Sequence, residues 1–319
     1  MIFNKLEEMY KKMVYTRADD NGCVVYFSAD DFVGLRKKAY PFKSSKGHAL
    51  QGYFYYYDNY IPGRIVMFEH GMGSGHRGYM KEIELLARRG YLVFSYDHTG
   101  CMESGGETTG GFIHSLIDLN DAINALQEDP EYRDMEISVV GHSWGALSTM
   151  NISALHPEVR HQIALAGPLS VEHMLKQSFG GLLSRVGKRI LENERKANPD
   201  FIGYDAITAL TNTSAQVLVI HSDDDPTVKC SASFDLLEKA VSGRKNITLV
   251  KVTGKRHNPN YTEDAVKYKD AFFAEYRKMM KKGLLTTESA KQEFKSRYDW
   301  NRMTAQDEAI WDLIFKILD

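Results

Sequence analysis

The chain has 319 residues, enough for one α/β core with an insertion, and 43% of them are hydrophobic and 26% charged, as in ordinary globular proteins. Forty basic residues against 42 acidic ones give a net charge of −2, so the composition does not support nucleic acid or an anionic membrane as a partner. The three cysteines, Cys23, Cys101 and Cys230, are odd in number and lack CxxC spacing, which argues against a disulfide framework or a zinc site.

The amino-terminal residues, MIFNKLEEMYKKM, are charged throughout and lack the apolar core of a signal peptide. No apolar run approaches the ~18 residues that a membrane-spanning helix needs. We therefore expect a cytoplasmic protein without an integral membrane segment, as a monomer or a homodimer. Residues 3–13 predict a short amphipathic helix, and ADDNG at 18–22 predicts a turn.

Two aromatic strand-like runs, residues 39–42 and 48–57, flank SSKG and predict an antiparallel hairpin. From Arg64 onward, short apolar runs alternate with helical segments near 79–89, 113–127 and up to 155. The apolar runs are RIVMFEH, YLVFSYD, ISVVGHS, QIALAG and QVLVIHS. This alternation predicts an α/β fold whose mostly parallel central sheet has helices on both faces.

The alternation stops between Gly167 and Ala215, where no strand-like run occurs. Apolar residues there recur at helical spacing, which predicts a helical cap insertion over about 168–213 within a single domain spanning 1–319. Simple packing against the core explains that apolar stripe equally well. A helical extension over about 284–319 is also expected, with two helical stretches beyond Gly283.

The last of these stretches begins Thr304-Ala305-Gln306-Asp307, which fits a capping box. One face of it then carries an apolar stripe, formed by Ile310, Leu313, Ile314, Ile317 and Leu318. We expect this stripe to pack on the chain's own core, near the N-terminal helix, in preference to a dimer contact.

The strongest chemical signal is Gly141-His142-Ser143-Trp144-Gly145, which directly follows the run ISVV and precedes a helical segment. A serine at a sharp strand-to-helix turn is held above the sheet in a strained conformation, and the flanking glycines avoid the resulting clashes. The motif therefore predicts Ser143 as a nucleophile. The alternative is a helix-capping serine in an ordinary turn, which the strand-to-helix context disfavours.

A serine nucleophile needs a base and an acid that orients the base. His257 follows the last strand-like run, ITLVKV, and is the candidate base, its alternative being a solvated loop histidine. His221 competes with it but sits where the acid is expected. The acid must come from Asp223, Asp224 or Asp225, and the other two carboxylates are expected to face solvent in a turn.

An oxyanion hole requires backbone N–H groups aimed at the tetrahedral intermediate. We expect one donor from Trp144, next to the nucleophile, and one from Met72 in the glycine-rich loop HGMGSG. We also expect the substrate to contact Gly71 and His142 beside these donors, and Phe179 and Leu183 in the cap.

Residues 39–260 resemble the monoacylglycerol lipase and serine aminopeptidase branch of the α/β-hydrolases, which also includes small esterases. The resemblance is carried by FEHGMGSG, DHTGCMES, GHSWG, VLVIHSDDDPTV and the GKRHN loop. It implies that the acid is the last carboxylate of the acid segment, Asp225. The sequence departs from the family's D-x-R-G-x-G-x-S loop, which here lacks the arginine and one glycine. Ser222 also stands where glycine is usual.

Other classes explain fewer of these residues. Residues 73–78 match the dinucleotide-binding pattern GxGxxG and are followed by Asp97 at the end of the next strand-like run. However, Gly73 is separated from its apolar run, and that interpretation leaves GHSWG, the acid segment and His257 without a role. A binding scaffold that has lost its activity would be expected to lack a triad residue. No HExxH motif suggests a metal hydrolase, and no cofactor or metal is expected.

The sequence therefore predicts a serine hydrolase that cleaves small-molecule carboxylic ester (acyl) substrates through a Ser-His-Asp acyl-enzyme mechanism. A serine aminopeptidase-like peptidase or an acyltransferase with the same triad is the alternative. A peptidase would need carboxylates in the cap to hold a free amine. Glu192 and Glu194 are available there, although they look like a solvated turn.

Overall fold

The computed structural model describes residues 2–19 and 26–319. Cys23 lies outside these residues, as does most of the turn predicted at 18–22.

A central sheet of eight strands organises the molecule. The strands are β1 (Arg36–Lys43), β2 (Ala49–Tyr56), β3 (Arg64–Glu69), β4 (Leu92–Tyr96), β5 (Glu136–His142), β6 (His161–Leu165), β7 (Gln216–Ser222) and β8 (Ile247–Val252). Their order is β1-β2-β4-β3-β5-β6-β7-β8. β1 pairs antiparallel with β2, as does β2 with β4, and all other neighbours are parallel. The predicted fold class, an α/β-hydrolase fold with a mostly parallel sheet, is confirmed.

Helices cover both faces of this sheet. They are α1 (Ile2–Val14), α2 (Met80–Arg89), α3 (His114–Glu128), α4 (Trp144–Asn151), α5 (Val171–Ser178), α6 (Ser184–Ala197), α7 (Ala206–Asn212), α8 (Phe234–Ala240), α9 (Glu263–Lys281), α10 (Glu288–Lys295), α11 (Trp300–Met303) and α12 (Glu308–Leu318). Helix α4 ends at Asn151 in a turn of 3-10 helix, short of the predicted end at 155. None of the helices in the described residues is long and apolar enough to cross a membrane.

Alternate residues of β3 pack into two separate hydrophobic cores, one on each face of the sheet. Met67 packs with α1 and α3, whereas Phe68 packs with α2 and α12 on the opposite face. Because both faces are covered, all five residues from Ile65 to Glu69 are buried. That double covering explains why the sequence shows continuous apolar runs in this part of the sheet.

The insertion between β6 and β7 divides between two environments. Helix α6 packs against α5 and α1. Helix α7 instead packs beside α4, with Ala206 and Leu210 buried against Met150. The last part of the predicted insertion therefore belongs to the layers around the sheet, and a cap formed by α5 and α6 stays a prediction.

The carboxyl-terminal helices correct two expectations. Three helices follow Gly283 rather than two, and α12 begins at Glu308. The predicted capping box is wrong, because the Thr304 hydroxyl donates to the Trp300 carbonyl (2.7 Å) at the end of α11. Asp307 caps α12 instead, accepting hydrogen bonds from the N–H groups of Ala309 (3.0 Å) and Ile310 (3.4 Å).

The stripe of α12 packs within the chain, as expected, but not near α1. Ile310, Ile314 and Leu318 are buried beside α2, and α12 contacts β6 and β7. Helix α1 lies on the opposite face, so the expected location is wrong. Helix α9 packs instead with α10 and α11 around Phe272.

Candidate active site

Ser143 occupies a strained turn between β5 and α4. Its backbone φ is +55°, in the left-handed region that residues with a side chain rarely adopt. A side chain at Gly145 would collide with the Glu69 backbone, and one at Gly141 would collide with Thr149. The two glycines of the motif are therefore required by close packing under the turn, and the Ser143 hydroxyl is left partly exposed.

His257 lies in the loop after β8, and its side chain contacts that of Ser143, which follows β5. Its Nε2 is 2.8 Å from Ser143 Oγ, and its Nδ1 is 2.8 Å from Asp225 Oδ2. The side chain of His257 is 21% exposed, whereas the Asp225 carboxylate is fully buried. Three side chains from three strand ends thus form one continuous hydrogen-bonded row.

Asp225 is held as an anion by several donors. Burial alone would raise its pKa, but hydrogen bonds from His221, His257 and the Thr227 N–H outweigh it and hold the pKa of Asp225 well below its usual range. Its second oxygen, Oδ1, accepts the N–H groups of Thr227 (2.7 Å) and Val228 (3.0 Å). The loop therefore stabilises the charged form that His257 faces.

The two preceding carboxylates have other partners and are exposed, as expected of turn residues. Asp223 accepts from the Thr253 hydroxyl (2.8 Å), and Asp224 accepts from the Arg256 N–H (2.9 Å). His221, the competing histidine, donates from Nε2 to the Val228 carbonyl (2.7 Å). It supports the loop of Asp225 from below and does not contact Ser143.

The glycine-rich loop after β3 passes close to Ser143. A side chain at Gly71 would lie 2.5 Å from the Tyr79 hydroxyl and 3.4 Å from Ser143 Cβ. The Gly71 carbonyl accepts from His70 Nδ1 (2.8 Å), and burial, the main cause, lowers the pKa of His70 to about 3. Because C=O and N–H point in opposite directions in a trans peptide, this bond turns the Met72 N–H the other way. Met72 itself lines the cavity beside Ser143.

His142 links this loop to the loop of His257. The Gly71 N–H donates to the Tyr79 hydroxyl (3.1 Å), which donates to His142 Nδ1 (2.8 Å). His142 Nε2 in turn donates to the His257 carbonyl (2.7 Å). Burial, with the nearby charge of His257, lowers the pKa of His142 to about 3, so the ring stays neutral and Nδ1 can accept. His142 thus has protein partners at both ring nitrogens.

A cavity of about 490 Å³ opens beside Ser143. Part of its lining comes from the expected loops and their surroundings, with Gly71, Met72, Gly73, Ser74, Gly78, Tyr79, His142, Ser143, Thr227, His257 and Asn258. A second part of the wall was not predicted and consists of Met13, Tyr26, Tyr261, Lys269 and Phe273. Met13 and Tyr26 come from the amino-terminal region, Tyr261 precedes α9, and Lys269 and Phe273 lie on α9, so only long-range packing brings them to the site.

The structure does not bring the predicted cap residues to this cavity. Among the described residues, neither Phe179 nor Leu183 belongs to its lining. Phe179 packs at the margin of the core, beside α6, and its Cβ faces Gly187. Contact of these two residues with substrate stays a prediction.

The cap carboxylates are also placed differently from the expected solvated turn. Both lie within α6, where Glu192 is exposed and Glu194 is buried. Glu194 accepts from the Tyr10 hydroxyl (2.8 Å) and from the Phe112 N–H (2.9 Å). The hydrogen bond from Tyr10 to Glu194 links α6 to α1. Neither glutamate lines the cavity beside Ser143.

The dinucleotide pattern would have Asp97 bind a ribose hydroxyl. In the structure Asp97 is buried, and both of its carboxylate oxygens have partners within the protein. Its Oδ1 accepts from the His76 N–H (2.9 Å) and lies 2.8 Å from His76 Nδ1, and its Oδ2 accepts from the Glu103 N–H (3.1 Å). The turn of 3-10 helix at His76–Tyr79 also separates Gly73 and Gly75 from α2. This segment therefore lacks the glycine-to-helix junction that cradles a pyrophosphate.

Comparison with known proteins gives concordant similarities. A family model described as serine aminopeptidase, S33, matches residues 61–203. The chain is 25% identical to the Bacillus subtilis protein YqkD over 244 residues, 71% of this chain and 74% of YqkD. It is 29% identical to the monoglyceride lipase of Rattus norvegicus over 110 residues, 34% of this chain and 36% of the lipase.

Among solved structures, the Pyrococcus furiosus esterase Pf2001 superposes with a TM-score of 0.58 at 20% sequence identity. The superposition covers 90% of this chain and 98% of the esterase. At that identity the likeness is one of fold.

Proposed function

We propose that this chain is a serine hydrolase that cleaves carboxylic esters. In this proposal it is an α/β-hydrolase of the branch that includes monoglyceride lipase. The observation that carries the proposal is the row Ser143 Oγ, His257 and Asp225, with both hydrogen bonds at 2.8 Å. The strained backbone of Ser143 also supports the proposal, because such strain is typical of a turn that exposes a nucleophilic serine.

In this mechanism His257 Nε2 takes the proton of Ser143 as Oγ attacks the ester carbonyl. Asp225 fixes the ring with Nδ1 protonated and stabilises the imidazolium that forms. The protonated ring then gives its proton to the departing alcohol, leaving an acyl group on Ser143. Water attacks this acyl-enzyme by the same route, with His257 again as base, and releases the acid.

The developing oxyanion requires donors that are already in place. Trp144 is the first residue of α4, so its N–H has no partner within the helix. The Met72 N–H is turned away from His70 by the bond that His70 makes to the Gly71 carbonyl. We assign these two N–H groups to the oxyanion hole, where such a donor is worth about 3–4 kcal/mol in the transition state.

The cavity chemistry favours an ester over the free amino terminus of a peptide. An aminopeptidase needs carboxylates that pair with the substrate ammonium, and the described residues lining this cavity include no aspartate or glutamate. Its lining includes the lysine Lys269 instead. Glu194, the buried cap carboxylate, already accepts hydrogen bonds from Tyr10 and Phe112.

The test is a substrate panel measured with wild type and Ser143→Ala. Methyl and p-nitrophenyl esters of increasing acyl length should be hydrolysed, and aminoacyl p-nitroanilides should not. Ser143→Ala should lose ester turnover by at least about 10⁴-fold while its circular dichroism spectrum stays unchanged. Efficient release of nitroaniline with little ester hydrolysis would favour the peptidase, and full ester turnover by Ser143→Ala would exclude the proposed mechanism.

A further inference from the structure

Lys269 lines the same cavity as Ser143, although the proposed chemistry does not use it. Its Nζ donates a hydrogen bond to Asn258 Oδ1 (3.3 Å), in the residue that follows His257. Nζ also lies 4.7 Å from the centre of the Tyr261 ring. A cationic side chain therefore stands in the wall of the cavity, close to the proposed base.

Lys269 forms no ion pair with the described residues, although two carboxylates, those of Glu82 and Asp270, are near enough to influence its charge. Its neighbour on α9, Asp270, forms an ion pair with Arg256 (2.7 Å). Glu82 on α2 is buried and accepts from Asn260 (3.2 Å), and burial raises its pKa. Within the described part of the chain, Lys269 Nζ thus contacts an amide oxygen and an aromatic ring, and both are neutral.

The Lys269 side chain is only partly exposed, so a cation in this position is incompletely solvated. Burial lowers the pKa of Lys269 to about 8, with the charges of Glu82 and Asp270 opposing the shift, so the ammonium form still predominates at neutral pH. A desolvated cation without a paired anion is costly. A carboxylate on a bound ligand would remove that cost and add a charge-assisted hydrogen bond.

We propose that Lys269 binds a carboxylate of the substrate, so that the site prefers esters carrying a second, ionised carboxyl group. This inference rests on the proposed esterase function and names its substrate class: half-esters of dicarboxylic acids. Met13 and Phe273, in the same wall, provide apolar surface for the methylene chain between the two carboxyl groups. The flexible stem and compact charge of a lysine suit an anion whose distance from the scissile carbonyl varies.

The experiment compares monomethyl adipate with methyl hexanoate, two methyl esters with acyl chains of equal length that differ in the terminal carboxylate. Hydrolysis is followed by methanol release for wild type, Lys269→Met, Lys269→Arg and Lys267→Met. Lys267 is the matched control, because it lies on the same helix, is exposed and pairs with Glu263 (3.5 Å).

Wild type should cleave the half-ester with at least about tenfold higher kcat/KM than the neutral ester, as a charge-assisted contact of this kind predicts. Lys269→Met should remove that preference by raising KM for the half-ester about tenfold or more, while the neutral ester stays within about threefold. Lys269→Arg should keep part of the preference, and Lys267→Met should behave as wild type.

Two results would overturn the inference while leaving the proposed function intact. One is Ser143-dependent hydrolysis of both esters with equal kcat/KM in wild type. The other is an equal loss on both esters in Lys269→Met, which would show that Lys269 only supports the Asn258 loop. If wild type cleaved neither these esters nor the wider ester panel, the proposed function itself would fail, and the inference with it.

Discussion

His257 Nδ1 and Asp225 Oδ2 lie 2.8 Å apart, whereas the two carboxylates just before Asp225 bond to other groups. Asp225→Asn should therefore lower kcat by about 10⁴-fold, because an amide can neither fix the productive tautomer nor stabilise the imidazolium. Asp223→Asn, which changes a carboxylate bonded only to the exposed Thr253, is the matched control. Greater sensitivity at Asp223 than at Asp225 in steady-state kinetics would contradict the assignment.

Tyr79→Phe should lower kcat roughly ten- to a hundredfold. The change removes the acceptor of the Gly71 N–H and the donor to His142, so the loop carrying Met72 loses its tie to the His257 loop. Folding should be retained, because the aromatic ring remains in place. Tyr298→Phe is the control, since its exposed hydroxyl lies 3.3 Å from Glu275 and Tyr298 is not among the residues that line the cavity of Ser143. Equal kcat values for both variants and wild type would show that the Tyr79 hydroxyl does not contribute to turnover.

Glu69 should make stability depend on pH. It is fully buried at the end of β3, and burial raises its pKa to about 7 from 4.5, although His98 and the Tyr96 hydroxyl partly oppose this. The folded state therefore keeps a proton that the unfolded chain releases, and this advantage is present below pH 4.5 and lost as the pH rises through 7. The free energy of unfolding lost over this pH range is on the order of 3 kcal/mol.

Glu69→Gln, which stays neutral and can still accept from Tyr96, should abolish that dependence. Urea unfolding at pH 5 and pH 8 should show that the variant gains stability relative to wild type at the higher pH. A difference between variant and wild type that is the same at both pH values would show that Glu69 is not the group responsible.

Ile314→Ala should destabilise the protein by about 2–5 kcal/mol, because it leaves a cavity between α12 and the sheet. The melting temperature should fall equally at all protein concentrations, since the packing is within one chain. Lys316→Ala, at an exposed position of the same helix, should change stability by less than about 0.5 kcal/mol. A melting temperature that rises with concentration in wild type would point to an intermolecular contact.

Local patterns account for what could be predicted of the fold and the site. The strands around Ser143 are visible because a doubly covered sheet demands continuous apolar runs, and the position of Ser143 follows from glycines that its turn requires. His257 was identifiable because its loop follows a strand-like run. In each case the pattern that marks the feature spans only a few neighbouring residues.

The rest depends on contacts between distant segments. The amphipathic pattern of α12 indicates that one face is buried, but not that this face packs beside α2 while α9 packs with α10 and α11. No local pattern shows that Lys269 and Phe273 on α9 line the cavity beside Ser143. Likewise, the bond between Tyr79 and His142 joins residues 63 positions apart, and no local pattern marks it.

The central claim is that Ser143 is the nucleophile, and covalent labelling tests it most directly. Wild type and Ser143→Ala are treated with a fluorophosphonate, digested and analysed by mass spectrometry. We predict a single phosphonylated peptide containing Ser143 in wild type, labelling that an ester substrate slows, and no label in Ser143→Ala. Labelling at another residue, or a wild-type enzyme that hydrolyses esters without being modified at Ser143, would contradict the account.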